Sequence, residues 1–425
     1  MVRQRSAKPL YAGSILARTS KLQHMSTRTN ARLSRNITLL KWLHVDEVLF
    51  AAAVLIAYEM HVIGISLTQV LIGEAIFAFT VLTFEIPSGV FSDLVSRKKT
   101  LLIAQVLLII GVAFLAFAQN FFHIILIQII WGIAASTISG TDSAMLYDTL
   151  KLLKRERDHK QVLGHITAFS LVAVAFGQVT SGFIGSFNLH LTLILCIPIP
   201  IIKFILILFL QEPEREKSHH THTPISHAFS SIGYIIRNRV ILVLIIASMF
   251  TVLGWKIAIH TYNPFMELIE VPIVYWGIAL AVFNLLAAYV SKKAHMFIEY
   301  AGEMKSFIII FCSYAISFFL LAGINSKFAF FALLLIWVAN PVKRIFFSEE
   351  LNKRTASSQR ATVLSVSNFC SQGLQMIMLP ILGYVADIYS LQTMYLLLGA
   401  IIFAVGLIAM IGLRQSLINE SSLNS

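Results

Sequence analysis

Ionisable side chains inside long apolar stretches are the residues of this sequence best suited to chemistry, because a charge is costly there unless it serves a purpose. The strongest candidate is Asp142. Helical spacing places it on one stripe of small and polar side chains, formed by Gln128, Gly132, Ala135, Ser139 and Asp142. Close packing of helices explains the small side chains but not the carboxylate. We therefore expect Asp142 to bind substrate or a proton.

Acidic side chains in the first two apolar stretches are further candidates. In the first stretch only eleven consecutive residues are free of charge, and at 1.5 Å each they cover about half of the hydrocarbon layer. Asp46, Glu47 or Glu59 must therefore enter the membrane region or face a cavity, and spacing does not decide which. In the second stretch Glu74 and Glu85 lie eleven residues apart. They share a helix face, which we expect to be turned inward.

The second half of the chain carries basic, amide and aromatic candidates. Lys256 and His260 fall on one helical stripe, and Lys256 either extends to the membrane surface or contacts substrate. The remaining candidates follow helical spacing in two later stretches: Trp337, Asn340, Asn368, Gln372 and Gln375. A cavity lined by acids, a base, amides and an aromatic ring suits a polar or amphipathic small molecule.

The apolar stretches themselves predict a membrane protein. Hydrophobic residues make up 57% of the 425 residues and charged residues only 13%, against about 25% charged in soluble domains. Each crossing needs about 20 residues of helix. The stretches predict an all-α fold of 12 transmembrane helices in two six-helix halves, near 41–60, 67–92, 100–119, 122–147, 162–187, 189–210, 240–263, 272–291, 306–324, 328–347, 362–386 and 391–413.

The distribution of basic residues supports this count. All but three of the 33 Lys and Arg residues fall in the tails, in alternate loops on one side or at the span ends that flank those loops. The exceptions are Lys327, in a loop of the other side, and Lys203 and Lys256, inside spans. Because cytoplasmic loops collect Lys and Arg, both termini and the central linker are predicted to be cytoplasmic. The net charge of +12 then reflects topology, and we expect no nucleic-acid partner.

The polar intervals set the expected boundaries: a basic tail at 1–36, a first half at 37–210, a linker at 211–239, a second half at 240–414 and a short tail at 415–425. The basic tail is expected to be a disordered cytoplasmic segment that touches anionic lipid. A transit peptide, or a translation start at Met25, stays open. Four histidines in the linker, His219, His220, His222 and His227, could bind zinc or nickel. No cysteine or carboxylate completes a site, so we expect a solvated linker, with no metal and no cofactor.

Charge also gathers in residues 85–99, "EIPSGVFSDLVSRKK". Gly89, Asp93, Arg97 and Lys98 match the loop Gly-x-x-x-Asp-x-x-Gly-Arg-Lys of the major facilitator superfamily, which this stretch resembles. Ser96 stands at the second glycine of that pattern. The stretches "FEIPSG" and "SGTDSAMLYDTL" look like a bacterial branch of the same superfamily. The resemblance covers residues 37–414.

The resemblance implies a role for this loop as a latch between the two halves. Asp93 would contact the other half when the cytoplasmic side is closed, and breaking that contact would accompany alternating access. The expected latch residues are five members of this charged stretch and one acid of the fourth span: Glu85, Gly89, Asp93, Arg97, Lys98 and Asp148.

These observations predict a secondary transporter of a small molecule in the inner or plasma membrane, and not an enzyme. Catalytic motifs such as His-Glu-x-x-His are missing, as is a phosphate-binding loop, so a gradient must drive transport. We expect proton coupling through Asp142 and one acid of the first or second span. The resemblance to the bacterial branch favours efflux, although the fifth span lacks the Gly-Pro step of drug-proton antiporters. Uptake of a nutrient or organic acid, and a nontransporting sensor, are the alternatives.

Overall fold

The computed structural model describes residues 32–213, 235, 238–356 and 359–423, and within these residues it contains helices and turns but no strand. Most of the basic tail and the four linker histidines lie outside the described residues, as does the side chain of Asp93. The predicted all-α membrane fold is confirmed. Eleven described helical segments are long and apolar enough to span a bilayer, and the first predicted span accounts for the difference from twelve.

The first half contains α1 at residues 32–43 and then α2 (Leu55–Tyr58), α3 (Leu67–Leu94), α4 (Arg97–Ala116), α5 (Phe121–Ile138), α6 (Thr141–Leu152), α7 (His159–Phe187), α8 (Leu189–Cys196) and α9 (Pro198–Leu208). The second half contains α10 (Arg239–Leu268), α11 (Ile273–Ala301), α12 (Glu303–Gly323), α13 (Ala332–Arg354), α14 (Arg360–Ile388) and α15 (Leu391–Leu423).

The first predicted span is not one continuous helix, so that prediction was wrong. Between α1 and α3 the chain forms a 3₁₀ turn, the short α2 and a π-helical turn. Partners from other helices satisfy its open backbone. The N–H of Ala53 donates to the Ser181 hydroxyl at 2.9 Å, and the N–H of Ala57 donates to the Asn263 amide oxygen at 3.2 Å. Irregular backbone is tolerated at membrane depth when protein groups pair with it in this way.

The fourth predicted span is also interrupted. Its first helix ends at Ile138, and Gly140 takes a φ of 79° before α6 begins at Thr141. This left-handed conformation has no steric cost for glycine. The break changes the helical register, so the expected continuous stripe from Gln128 to Asp142 was wrong.

Helix boundaries differ from the sequence prediction at three other points. The helix 32–43 begins inside the predicted tail, where Asn36 is fully buried and donates to the backbone oxygen of Gln211 at 2.8 Å. At the other end α15 continues to Leu423, into the second predicted tail. The helix α13 continues to Arg354, beyond the predicted end at 347, and Lys343, counted among the bases that flank the following loop, is only 4% exposed within it.

We call the end of the bundle that holds the turns before Arg97 and Glu303 the basic face, and the other end the opposite face. The two halves meet most closely near the opposite face, where α7 packs on α11. A Cβ atom on Gly182 would lie 2.9 Å from the backbone nitrogen of Gly277. The same closeness joins α3 and α14, since a Cβ on Gly383 would lie 2.8 Å from the Thr68 Cα.

Two polar contacts between the halves also lie near the opposite face. His61 pairs with Glu267 at 2.8 Å near the opposite face. The Asp387 carboxylate accepts from the backbone N–H of Thr68 at 2.8 Å, at the start of α3. Nearer to the basic face, a Cβ atom on Gly373 of α14 would have nothing within 4 Å. The structure is therefore closed at the opposite face.

Gly277→Ala should disturb this closure. Its Cβ would lie 1.9 Å from the backbone oxygen of Gln178, so α7 and α11 must separate. Overpacking costs about 1–3 kcal/mol, which corresponds to about a 5- to 150-fold change in a conformational equilibrium. We expect faster maleimide labelling of a cysteine placed at Leu71, which is buried where α3 meets Gly383 of α14 near the same opposite face, in a chain without its native cysteines.

Gly373→Ala is the matched control, because open space surrounds that position. It should leave the labelling rate unchanged. Equal rates in the native chain and in Gly277→Ala would contradict the close contact between α7 and α11.

Candidate functional site

Three ionisable side chains, Glu74, Lys256 and His260, meet where the halves face each other. We call them, with Gln128, the interface cluster. Glu74 on α3 accepts from the Lys256 ammonium of α10 at 2.8 Å and lies 3.1 Å from the His260 Nε2. Gln128 on α5 donates to Glu74 at 3.4 Å. Their side chains are largely buried, with 16% of Glu74, 29% of Lys256 and 9% of His260 exposed. The cluster therefore joins the two halves through a partly desolvated ion pair.

The helical register of α10 positions the basic side of this cluster. Lys256 and His260 are four residues apart and share one face. The His260 Nδ1 lies 2.8 Å from the backbone oxygen of Lys256. A carbonyl oxygen only accepts, so this nitrogen carries a hydrogen. The other ring nitrogen, Nε2, faces the Glu74 carboxylate, so a protonated His260 adds a second positive charge beside that acid.

A second buried carboxylate lies nearby. Glu59, in the π-helical turn, is 3% exposed, and its carboxyl group is close enough to Glu74 for the two groups to interact electrostatically. Of the three acids that the sequence placed in the first span, Glu59 is thus the one beside the interface cluster. Lys256 pairs with an acid here rather than extending to the membrane surface.

Asp142, Asp46 and Glu47 lie elsewhere, in a cavity of about 350 Å³ inside the first half. We call it the N-half cavity. Its polar lining comes from His44, Asp46, Glu47, Gln105, Asp142, Ser170 and Lys203. Lys203, only 5% exposed, donates to Glu47 and to the Val45 backbone oxygen at 2.8 Å. The His44 Nε2 lies 3.3 Å from Asp142.

The expected latch residues make contacts within the first half. Arg97 pairs with Asp148, and Lys98 donates to the Leu208 backbone oxygen at 2.7 Å. Glu85 is exposed, and a Cβ on Gly89 would have nothing within 4 Å. The side chain of Asp93 lies outside the described residues, so its role as a latch stays a prediction.

The amide and aromatic candidates of the second half do not join the interface cluster. Trp337 is 4% exposed and packs edge-on against Trp255, with ring centroids 4.9 Å apart. Gln375 donates to Gln372 at 3.3 Å, while Asn368 is exposed. The amide oxygen of Asn340 is buried without a hydrogen-bond partner.

Sequence reasoning missed several groups. His44 and Gln105 were not singled out, although both line the N-half cavity. Glu212, treated as part of the linker, accepts from the backbone N–H groups of Arg97 at 3.0 Å and Lys98 at 2.8 Å. It thus stabilises the first turn of α4, where an anion is favourable. An acid ahead of a linker carries no sequence signal for such a contact.

Comparison with known proteins agrees with this architecture. The sequence profile of the Major Facilitator Superfamily matches residues 45–342, which is more than half of the chain. This chain belongs to the major facilitator superfamily. It is a membrane transporter, and not an enzyme.

Individual relatives are distant. The uncharacterised MFS-type transporter YxaM of Bacillus subtilis (strain 168) is 23% identical over 198 residues, which cover 45% of this chain and 49% of that protein. The match thus spans about half the length of that relative.

Solved structures show the same fold. A mutant of the nucleoside transporter NupG superposes with a TM-score of 0.79 at 15% identity, covering 89% of this chain and 99% of that chain. A bacterial homologue of the lysosomal transporter Spinster superposes with a TM-score of 0.62 at 15% identity, covering 90% of this chain and 95% of that chain. At these identities the likeness concerns the fold alone.

The Lys203–Glu47 pair allows a test of the N-half cavity. Lys203→Met should lower the thermal stability of the purified transporter, because it leaves the partly buried Glu47 without its partner. Removing one partner of a buried pair costs about 3–5 kcal/mol. The measurement is the melting temperature in detergent.

Lys203→Met combined with Glu47→Gln should recover most of the loss, since no charge is then left without a partner. A double variant as unstable as the single variant would contradict the pairing.

Proposed function

We propose that this transporter couples the movement of a small molecule to protons by rocking its two halves, with Glu74 as the coupling carboxylate. The observation that carries the proposal is the ion pair between Glu74 on α3 and Lys256 on α10, which crosses from one half to the other at 2.8 Å. Relative motion of the halves must stretch or break this contact. A partly buried carboxylate left behind needs a new positive partner.

A proton is the simplest partner for the released Glu74. In the conformation closed at the opposite face, Lys256 and His260 neutralise Glu74. Opening the opposite face separates α3 from α10, and Glu74 then takes up a proton from that side. Closing brings Lys256 back, which favours the ionised carboxylate and releases the proton towards the basic face.

The distribution of basic residues supports an assignment of the two sides of the membrane. The basic face, with both termini, is placed in the cytoplasm of a cell whose inner or plasma membrane holds the protein, because Lys and Arg gather there. Basic side chains at this face contact anionic lipid headgroups. Asp93, with Arg97 and Lys98, is proposed to latch the halves when the basic face closes.

Export is the proposed direction. Antiport requires substrate and proton to compete for one site, so an exported molecule replaces the proton at Glu74. A substrate with a cationic or hydrogen-bond-donating group meets this requirement. The similarity to the bacterial branch, in "FEIPSG" and "SGTDSAMLYDTL", supports efflux.

Uptake is a second candidate, supported by the charge of Lys256 and His260. An anionic substrate would displace Glu74 from Lys256, and Glu74 would then bind a proton. Substrate and proton would be carried together, as in symport of an organic acid.

Glu74→Gln should abolish proton coupling, because glutamine does not exchange a proton. The measurement compares metabolite levels inside and outside cells that produce either chain at matched membrane levels. We expect the inside–outside difference caused by the native chain to fall by about tenfold or more in Glu74→Gln. Metabolites depleted inside by the native chain indicate export, and metabolites enriched inside indicate uptake.

Glu267→Gln is the matched control, since Glu267 pairs with His61 near the opposite face with 50% of its side chain exposed. It should keep most of the activity. Unchanged, pH-driven transport in Glu74→Gln would remove Glu74 from the mechanism.

A further inference from the structure

The N-half cavity is separate from the interface cluster. All of its lining residues lie between Leu43 and Ile207, on helices or turns of the first half. Rocking of the halves is therefore not required to open or fill it. Its volume of about 350 Å³ equals roughly ten water molecules at about 30 Å³ each.

Two pairs of side chains in the cavity are electrically balanced. Lys203 neutralises Glu47 through their direct contact. The His44 Nδ1 lies 2.9 Å from the backbone oxygen of Leu40, so it carries a hydrogen. Its Nε2 lies 3.3 Å from the Asp142 carboxylate, so a protonated His44 neutralises that acid.

Asp46 is the acid of the cavity that belongs to neither of these pairs. One carboxylate oxygen accepts from the backbone N–H of Val48 at 2.9 Å. Among the residues that the structure describes, no base pairs with its side chain. A carboxylate in such a cavity favours a cation.

Gln105 supplies an unmatched donor. Its side chain is 3% exposed and lines the cavity, and its amide nitrogen has no hydrogen-bond partner. An unpaired buried donor is costly, so it favours an acceptor atom on whatever fills the space.

A metal ion does not fit this arrangement. Within the described residues no group of three or more His, Cys, Asp or Glu side chains has the spacing to hold one. We propose that the N-half cavity binds a small organic cation, whose ammonium group pairs with Asp46 and whose acceptor atom takes the hydrogen bond of Gln105. An amino alcohol has both groups.

Thermal stabilisation of the purified full-length chain in detergent tests this site. Ethanolammonium chloride should raise the melting temperature saturably, and sodium chloride at equal ionic strength should not. Ethylene glycol, which lacks the charge, should also have no saturable effect. Ethylammonium, which lacks the acceptor, should bind about 2- to 10-fold more weakly than ethanolammonium, the range expected for one hydrogen bond.

Two variants locate the ligand. Asp46→Asn keeps an oxygen for Val48 but loses the charge, and should weaken binding of ethanolammonium tenfold or more. Gln105→Leu should remove the difference in affinity between ethanolammonium and ethylammonium. This test does not depend on the folding of the Asp46 variant. Glu74→Gln should bind ethanolammonium like the native chain.

Three outcomes would overturn the proposal. The first is no saturable stabilisation by ethanolammonium. The second is equal affinity for both ammonium probes in the native chain. The third is loss of binding in Glu74→Gln with binding retained in Asp46→Asn, which would move the cation to the interface cluster and leave the proposed coupling role of Glu74 standing.

Discussion

Charge at membrane depth must be matched, and this constraint connects the two halves of the transporter. Glu74 and Lys256 are both inside long apolar helices, where neither charge is tolerated alone. They are matched by each other, across the surface where the two halves meet. Folding thus places this ion pair between the two halves, so that in the proposed cycle the motion of the halves separates the two charges. The same matching within a single half, as between Lys203 and Glu47, has no such consequence.

One local arrangement occurs twice. His44 and His260 each direct Nδ1 to the backbone oxygen four residues earlier, and each directs Nε2 to a carboxylate. The backbone contact fixes which ring nitrogen carries a hydrogen, so the other nitrogen faces the acid and can carry a proton towards it. Between the halves this proton can respond to motion. Inside the N-half cavity it leaves Asp46 as the unmatched charge.

The sequence predicted the helices well because lipid leaves few alternatives to a helix. It also singled out Glu74, Lys256 and His260, since ionisable residues are rare in apolar stretches. It did not predict that they meet, because helical spacing relates residues of one helix and not of two. Asp142 was placed on a continuous stripe because Gly140 gives no certain sign of a break. Lys343 was counted with the bases that flank a loop, since a basic residue near the end of an apolar run resembles a boundary.

Interactions of two kinds hold the opposite face closed, and they differ in what can release them. The glycine contacts of α7 with α11 and of α3 with α14 depend on shape and do not respond to protons or solutes. The interface cluster depends on charge, so protonation of Glu74 weakens it while the glycine contacts persist. The glycine contacts therefore set how tightly the halves can close. In the proposed cycle the cluster sets when they can part, because only the second kind of contact responds to a proton gradient.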